Sequence, residues 1–374
     1  MNKKIIFTSL VAVVVSLCAY SQGTVDIAKL RKDANAGNVK AQVTLANCLL
    51  SGKGVKTNFA EAAQWYTKAA NKGNMEAQFN LAYCYEMGYG VQKSLDTAVQ
   101  WYTKAAEKGS LSAMNSLGHL YDEGGEGFDK NYAKASDWYR KAAEKGHAGA
   151  QFNLGLCYSQ MKGVDLDYNQ AVKWWEKAAA QGNAGALYSL ANSYLKGEGV
   201  EKDATKAFNY YLVLADNGDP RAQNEVAKLY SRGEGVEQNY EKAVEYFTKA
   251  AEKGNASAQL SLGRHYDVGI SVPQDYEEAA KWYLKAAEQG NPEAQYNIGN
   301  MFFNGMGIAQ NYESAFYWME KAAMQNYPAA ETGLGICYYY GYGVKRNKDL
   351  GRQWINKAAV MGDSYAKETL KKLK

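Results

Sequence analysis

The reactive side chains of this sequence are few, and their spacing decides what chemistry they could share. The three histidines, His119, His147 and His265, lie far apart along the chain. A zinc or general-base pair needs two such groups on one helix face or converging in a pocket, and no paired spacing is present. Cys48, Cys84, Cys157 and Cys337 are separated by tens of residues, not grouped two and two as zinc ligands are. No Gly-x-Ser-x-Gly elbow offers a serine nucleophile. The Gly-x-Gly turns, such as Gly197-Glu198-Gly199, follow a helical pattern instead of a strand and lack the six-residue dinucleotide fingerprint. The reading is therefore no catalytic residue, no metal and no cofactor. The chain is not expected to be an enzyme.

The elements that carry these residues repeat. The stretch Trp101-Tyr102-Thr103-Lys104-Ala105-Ala106-Glu107-Lys108-Gly109 has an aromatic lead that recurs as Trp65, Trp138, Trp174, Tyr210, Tyr246, Trp282, Trp318 and Trp354. Each step is 36 residues except one of 37, which falls between Gly109 and Gly146. A fixed period of this size means stacked helical hairpins that cannot bury their faces singly. Within the second copy, Ala77, Leu81, Ala82 and Tyr85 share one helix face and Ala98, Trp101, Ala105 and Ala106 the next. The indole row is expected to fill the space between neighbouring hairpins. Second-helix caps read Asn58, Ser94, Asn131, Asp167, Asp203, Asn239, Asp275, Asn311 and Asn347, all of which can accept a first-turn N–H. Glu61 and Glu278 stand where a capping box would return a carboxylate to the cap. Pro220, Pro292 and Pro328 share one position at a helix start.

The start of the chain reads differently. Lys3 and Lys4, the apolar run Ile5 to Leu17 and Ala19-Tyr20-Ser21 form a secretory signal over residues 1–21, too short for a membrane span. A mature start at Gln22 and a periplasmic or secreted destination are expected. Cys18 raises lipid anchoring, which Leu17 disfavours because lipidation wants a small residue there. Removing Lys3 and Lys4 from the 43 basic residues leaves 41 against 39 acidic ones. That balance gives no electrostatic reason to expect nucleic acid, and no other segment is long and apolar enough to cross a bilayer. Export permits disulfides, but the four mature cysteines occupy one repeat position, and equivalent sites in stacked hairpins lie too far apart to bridge. Free thiols at a packing site are expected.

The pattern Ala-x-x-x-Leu-Gly/Ala-x-x-Tyr, then Gly-x-Gly-Val, then Ala-x-x-Trp-Tyr-x-Lys-Ala-Ala-x-x-Gly resembles the Sel-one-like repeat (SLR) family, a relative of tetratricopeptide repeats. The resemblance covers residues 38 to 374. It implies an all-α, right-handed α/α superhelical solenoid that acts as an adaptor or scaffold, often in exported bacterial proteins. The expected domains are the signal at 1–21, a lead-in helix at 22–37, nine repeats at 38–362 and a capping helix at 363–374. Departures fall at the Gly124-Gly125-Glu126-Gly127 insertion, at Met161 and Ser271 in place of loop glycines, and at Val213-Leu214-Ala215 in place of Lys-Ala-Ala; small kinks are expected there. Relatives with two bridged cysteines per repeat, some linked to penicillin binding or hydrolysis, differ from this chain, which has at most one per repeat.

If the helices pack as in that family, the first helix of each hairpin lines a concave groove. Positions two before and two after the Leu81 equivalent then point into it. The candidates are Asn47, Phe79, Tyr83, Asn115, His119, Phe152, Tyr188, Asn192, Asn224, Tyr296 and Asn300. Carboxamides there could hold the amides of an extended peptide, and the rings offer contact area at low entropy cost. A protein or peptide partner is expected, of unknown identity and with the oligomeric state open. The alternative is an envelope protein that binds glycan or peptidoglycan fragments, with or without weak β-lactamase-like hydrolysis. The lysine row Lys68, Lys104, Lys141, Lys177, Lys249, Lys285, Lys321 and Lys357 lies near helix C-termini, where cations offset the dipole.

Overall fold

The computed structural model describes residues 26–373; the expected leader, with Cys18, lies outside the described residues. Twenty helices and no strand form among them, apart from an isolated bridge between Gly125 and Phe128. The helices fall into two compact units, one ending at Ala186 and one beginning at Leu187. In the first, α1 (Ile27–Asn35) leads into the hairpins α2 (Val39–Ser51) with α3 (Phe59–Asn71) and α4 (Met75–Met87) with α5 (Leu95–Glu107). Then come α6 (Leu111–Glu123) with α7 (Tyr132–Glu144) and α8 (Ala148–Gln160) with α9 (Tyr168–Ala179). The boundary lies inside α10 (Ala184–Lys196), which precedes α11 (Ala204–Asp216). The second unit continues with α12 (Pro220–Arg232) and α13 (Tyr240–Glu252), α14 (Ala256–Val268) and α15 (Tyr276–Glu288), then α16 (Pro292–Asn304) and α17 (Tyr312–Ala323). It closes with α18 (Pro328–Tyr340), α19 (Lys348–Val360) and α20 (Ser364–Lys372).

Cap chemistry sets the helix starts. All nine second-helix caps accept the N–H three residues on, as Asn58 does from Glu61 and Asn347 from Leu350. The capping box is not made. The Asn58 N–H donates to Leu49 O at 2.9 Å and that of Asp275 to Tyr266 O at 2.9 Å, so the cap amide is already satisfied by the hairpin loop. Glu61 is left for Arg31 and Trp65, and Glu278 for Lys281. Met161 (φ 55°) and Ser271 (φ 57°) keep the left-handed loop geometry of the glycines they replace, so the departure is carried as local strain.

The core differs from expectation in one respect. The lead aromatic is only half-buried at Trp101, Trp138 and Trp174. The residue after it goes inward: Tyr66, Tyr102, Tyr139, Tyr211 and Tyr283 are among the largest fully buried side chains. A small residue on the first helix makes room for that ring; a Cβ at Gly118 would lie 2.5 Å from Tyr139 Cδ1. At Trp65 and Trp282 the indole is buried in the core, as expected, whereas at the half-buried positions it stays at the edge of the surface; in both settings the lysine three residues on lies over the ring. Nζ sits 3.9 Å from the ring centre for Lys68 over Trp65, 4.0 Å for Lys104 over Trp101 and 3.9 Å for Lys285 over Trp282. A spacing of three places both groups on one helix face.

Consecutive repeats are tied by buried glutamines. Gln42 Nε2 donates to Ala34 O at 3.0 Å, and Gln78, Gln151, Gln223, Gln259 and Gln295 repeat the bond to the carbonyl eight residues earlier. The four described cysteines are buried and form no disulfide, and burial pushes the Cys84, Cys157 and Cys337 thiols up to about 12. At the end of the chain, α20 buries Ala366 and Thr369 and exposes Lys367, Glu368, Lys371 and Lys372. No helix of the described residues is long and apolar enough to cross a membrane.

Candidate interaction face

Successive first helices touch along one face of each unit, and the side chains two positions either side of the central leucine meet there. In the first unit these side chains are largely committed to the fold. Asn47 is 7% exposed. Its Oδ1 accepts from Tyr66 OH at 2.5 Å and Asn80 Nδ2 at 3.3 Å, and its Nδ2 donates to Glu76 at 3.1 Å. Phe79 and Tyr83 are buried in the core, Phe79 against Tyr102 and Tyr83 edge-on to Tyr89. Burial pushes the Tyr83 phenol up to about 12. Asn115 is half-buried and accepts from Asn153 Nδ2 at 3.1 Å. His119 is half-buried near Glu86, whose carboxyl is raised by burial and drawn back by the Tyr102 hydroxyl at 2.7 Å. The Phe152 ring lies over Gly185, where an added Cβ would come 2.7 Å from Cζ.

In the second unit Tyr188, Asn192, Tyr296 and Asn300 are half-buried with charged side chains nearby, whereas Asn224 is buried. Tyr188 is half-buried between Tyr211, edge-on at 5.2 Å, and the Arg221 guanidinium, 5.1 Å above its ring. Asn192 accepts from Tyr211 OH at 2.9 Å and donates to Tyr188 O at 3.1 Å, which orients both. Asn224 is 3% exposed and donates to Glu225 at 3.0 Å, and its Oδ1 is buried with no donor. Glu225 also takes Lys228 at 2.9 Å. Farther along, Arg264 pairs with Glu293, and Tyr296 tilts against Tyr327 at 5.6 Å. Asn300 is half-buried, and its carbonyl accepts from Asn304. Arg221, Glu225, Glu293 and Tyr327 were not singled out from the sequence. Arg221, Glu293 and Tyr327 join the face because residues 33, 29 and 31 apart become neighbours when hairpins stack, and Glu225 joins it beside Asn224 on the same helix.

Elsewhere the reactive residues are structural. His147 caps α8, its Nδ1 accepting from Ala150 N at 3.1 Å, and burial lowers its pKa. His265 is buried, with Nδ1 2.9 Å from Ile270 O. The face therefore offers rings, fixed ion pairs and one orphaned acceptor, an arrangement suited to holding a chain by contact and hydrogen bond.

The Sel1 repeat family model matches nine consecutive segments, residues 39–74, 76–110, 111–147, 148–183, 184–219, 220–255, 256–291, 292–327 and 328–363. Among solved structures, the chain is 30% identical to a protective antigen of uropathogenic Escherichia coli that displays an SLR fold, over 91% of this chain and 88% of that one, with a TM-score of 0.58. It is 31% identical to a Sel1 repeat protein from Oxalobacter formigenes, over 66% of this chain and 96% of that one, with a TM-score of 0.58. No curated protein matches.

Proposed function

The chain belongs to the Sel1 repeat family, and on that footing we propose that it is an exported, non-catalytic scaffold that binds a protein or peptide on the first-helix face of its second unit. The observation that carries this reading is the Asn224 acceptor, buried and without a donor, flanked by a tyrosine already clamped between Tyr211 and Arg221. An unpaired buried acceptor costs about 1–3 kcal/mol, and because Asn224 is 3% exposed an N–H from a bound segment removes that cost only when the carboxamide turns outward to meet it. A clamped ring loses little freedom on binding, the property of a hot-spot residue. Export rests on the basic and apolar character of residues 1–21.

Asn224→Leu separates this reading from a purely structural role. The variant removes the orphan and keeps the volume, so stability is expected to hold or rise while partner capture falls at least tenfold. Capture unchanged in both Asn224→Leu and Tyr188→Ala would overturn the assignment, and so would retention on purified glycan with no protein partner. Amino-terminal sequencing of the natural protein tests export, with Gln22 expected first.

A further inference from the structure

The loop glycine that closes a hairpin normally lies against the preceding repeat. A Cβ at Gly90 would stand 2.1 Å from Phe59 O, at Gly163 2.0 Å from Tyr132 O, and at Gly343 2.0 Å from Tyr312 O. Gly235 and Gly307 are as tightly seated, at 2.2 Å from Ala204 O and 2.1 Å from Tyr276 C. Gly127 holds the same place in the third repeat and meets nothing within 4 Å.

The extra residue of that repeat is the cause. Gly125 N donates to Phe128 O at 2.8 Å and Phe128 N to Gly125 O at 3.0 Å, which closes a tight turn. The turn stands on the Leu95 side chain, where a Cβ at Gly125 would lie 2.5 Å from Cδ1. It is lifted off the α5 backbone, and a cleft opens on each side of Phe128, of about 640 Å³ and about 500 Å³. Asp96 and Phe128 line both.

The larger cleft has an apolar floor of Val99, Tyr121 and Phe128, the two rings 5.3 Å apart. Asp96, Asp129, Lys130 and Lys134 rim it, with Lys134 Nζ 5.2 Å above the Tyr121 ring. None of these four forms an ion pair among the described residues. Gln100 and Asn131 complete a lining that is more polar than apolar, so a ligand there is held chiefly by charge and hydrogen bonds, with the two rings as its one apolar seat. Unpaired charges of both signs beside the rings select a ligand that brings both signs itself.

We propose that this cleft binds a short peptide carrying charges of both signs, with an apolar side chain seated against Phe128 and Tyr121, its cationic group at Asp96 and Asp129 and its anionic group at Lys130 and Lys134. The site is independent of the first-helix face, since its residues come from α5, the end of α6, the start of α7 and the third-repeat loop.

Calorimetry on the mature chain tests it, with the tetrapeptide Lys-Phe-Leu-Glu as probe beside its acetylated, amidated form and Lys-Ser-Ser-Glu. Saturable binding is expected for the first probe, at least tenfold weaker for the serine probe. Deletion of Gly125, which restores the 36-residue step, should abolish it. Asp96→Asn and Lys134→Gln change only rim groups and should each weaken it about tenfold, whereas Tyr188→Ala should leave it unchanged. Equal binding of the blocked form identifies an internal segment as the natural source, and its loss identifies a free chain end. No saturable binding by either form, or binding indifferent to Asp96→Asn, Lys134→Gln and the Gly125 deletion, overturns the proposal.

Discussion

Glu331 stands where six other repeats place the buried glutamine, and its replacement by Gln tests how the repeats are tied. The carboxylate is fully buried, with Lys357 Nζ 2.7 Å from Oε1 but no donor aligned on either oxygen. Elsewhere the glutamine Nε2 donates to the alanine carbonyl eight residues earlier; Gln295 does so to Ala287 O at 3.1 Å. Glu331 as a carboxylate can only accept, so the equivalent Ala323 carbonyl goes without that donor. Glu331→Gln removes a buried charge and makes the bond, worth about 1 kcal/mol on its own. Relief of the buried pair adds about 1 kcal/mol, the low end of what such replacements give, because Lys357 is 44% exposed and keeps its bond to Asn326. A gain of about 1–2 kcal/mol is expected. Lys357→Met in the natural chain should cost about 2–3 kcal/mol, since it strands the carboxylate, yet only about 1 kcal/mol once Glu331→Gln is present, for the lost Asn326 bond and the place over Trp354, a coupling that a double-mutant cycle isolates. Hydrogen exchange of the α18 and α19 amides reads this locally, which a global midpoint does not do in a repeat array. Lower protection in Glu331→Gln, or an equal Lys357→Met penalty in both backgrounds, would refute the reasoning.

Met161→Gly and Ser271→Gly remove a side chain from a left-handed backbone and should stabilise the chain by about 0.5–1 kcal/mol each in urea melts. Asn326→Gly should gain less, because Asn tolerates φ 58°. Lys104→Gln should cost about 0.5–1 kcal/mol and shift the Trp101 emission, since the ammonium 4.0 Å over the indole is lost. Burial raises the Glu86 carboxyl above its ordinary value of 4.5, so this group binds its proton more tightly folded than unfolded. Its charge therefore destabilises the fold as pH rises through that value and upward. Glu86→Gln should stabilise at neutral pH, with the advantage fading as pH falls through the raised folded value and gone below about pH 4.5 in pH-dependent melts. Phe79→Ala and Tyr83→Ala should destabilise the first unit by about 3–5 kcal/mol in the same melts, as core truncations do.

What could be read from the sequence was whatever a single repeat encodes by itself. The period fixed the hairpins, and the nine cap residues were legible because a side-chain oxygen beside a helix start has one common use there. The inward aromatic was harder to read. Trp101 and Tyr102 are adjacent, so the helical pattern admits either, and the choice is made by Gly118 and its equivalents across the hairpin. The clue was that the lead row is aromatic in every repeat, with a lysine three residues on in all but the Tyr210 repeat, which has Val213, whereas the second row relaxes to Met319 and Ile355. Side-chain bonds between repeats, such as Asn47 to Glu76 and Arg264 to Glu293, depend on how hairpins stack and leave no local pattern. For that reason Asn47, Phe79 and Tyr83 could not be told apart from Tyr188 and Tyr296 by position alone.

The central claim is that the first-helix face of the second unit holds a protein partner. A photo-crosslinking residue placed at Tyr188 or Tyr296, and in separate chains at the exposed second-helix residues Tyr240 or Tyr317, tests it most directly in cells that make the protein. The account predicts one shared protein adduct from Tyr188 and Tyr296, lost when Asn224→Leu is added, and none from the other two positions. An adduct from Tyr240 or Tyr317 alone, or one from Tyr188 indifferent to Asn224→Leu, would contradict it.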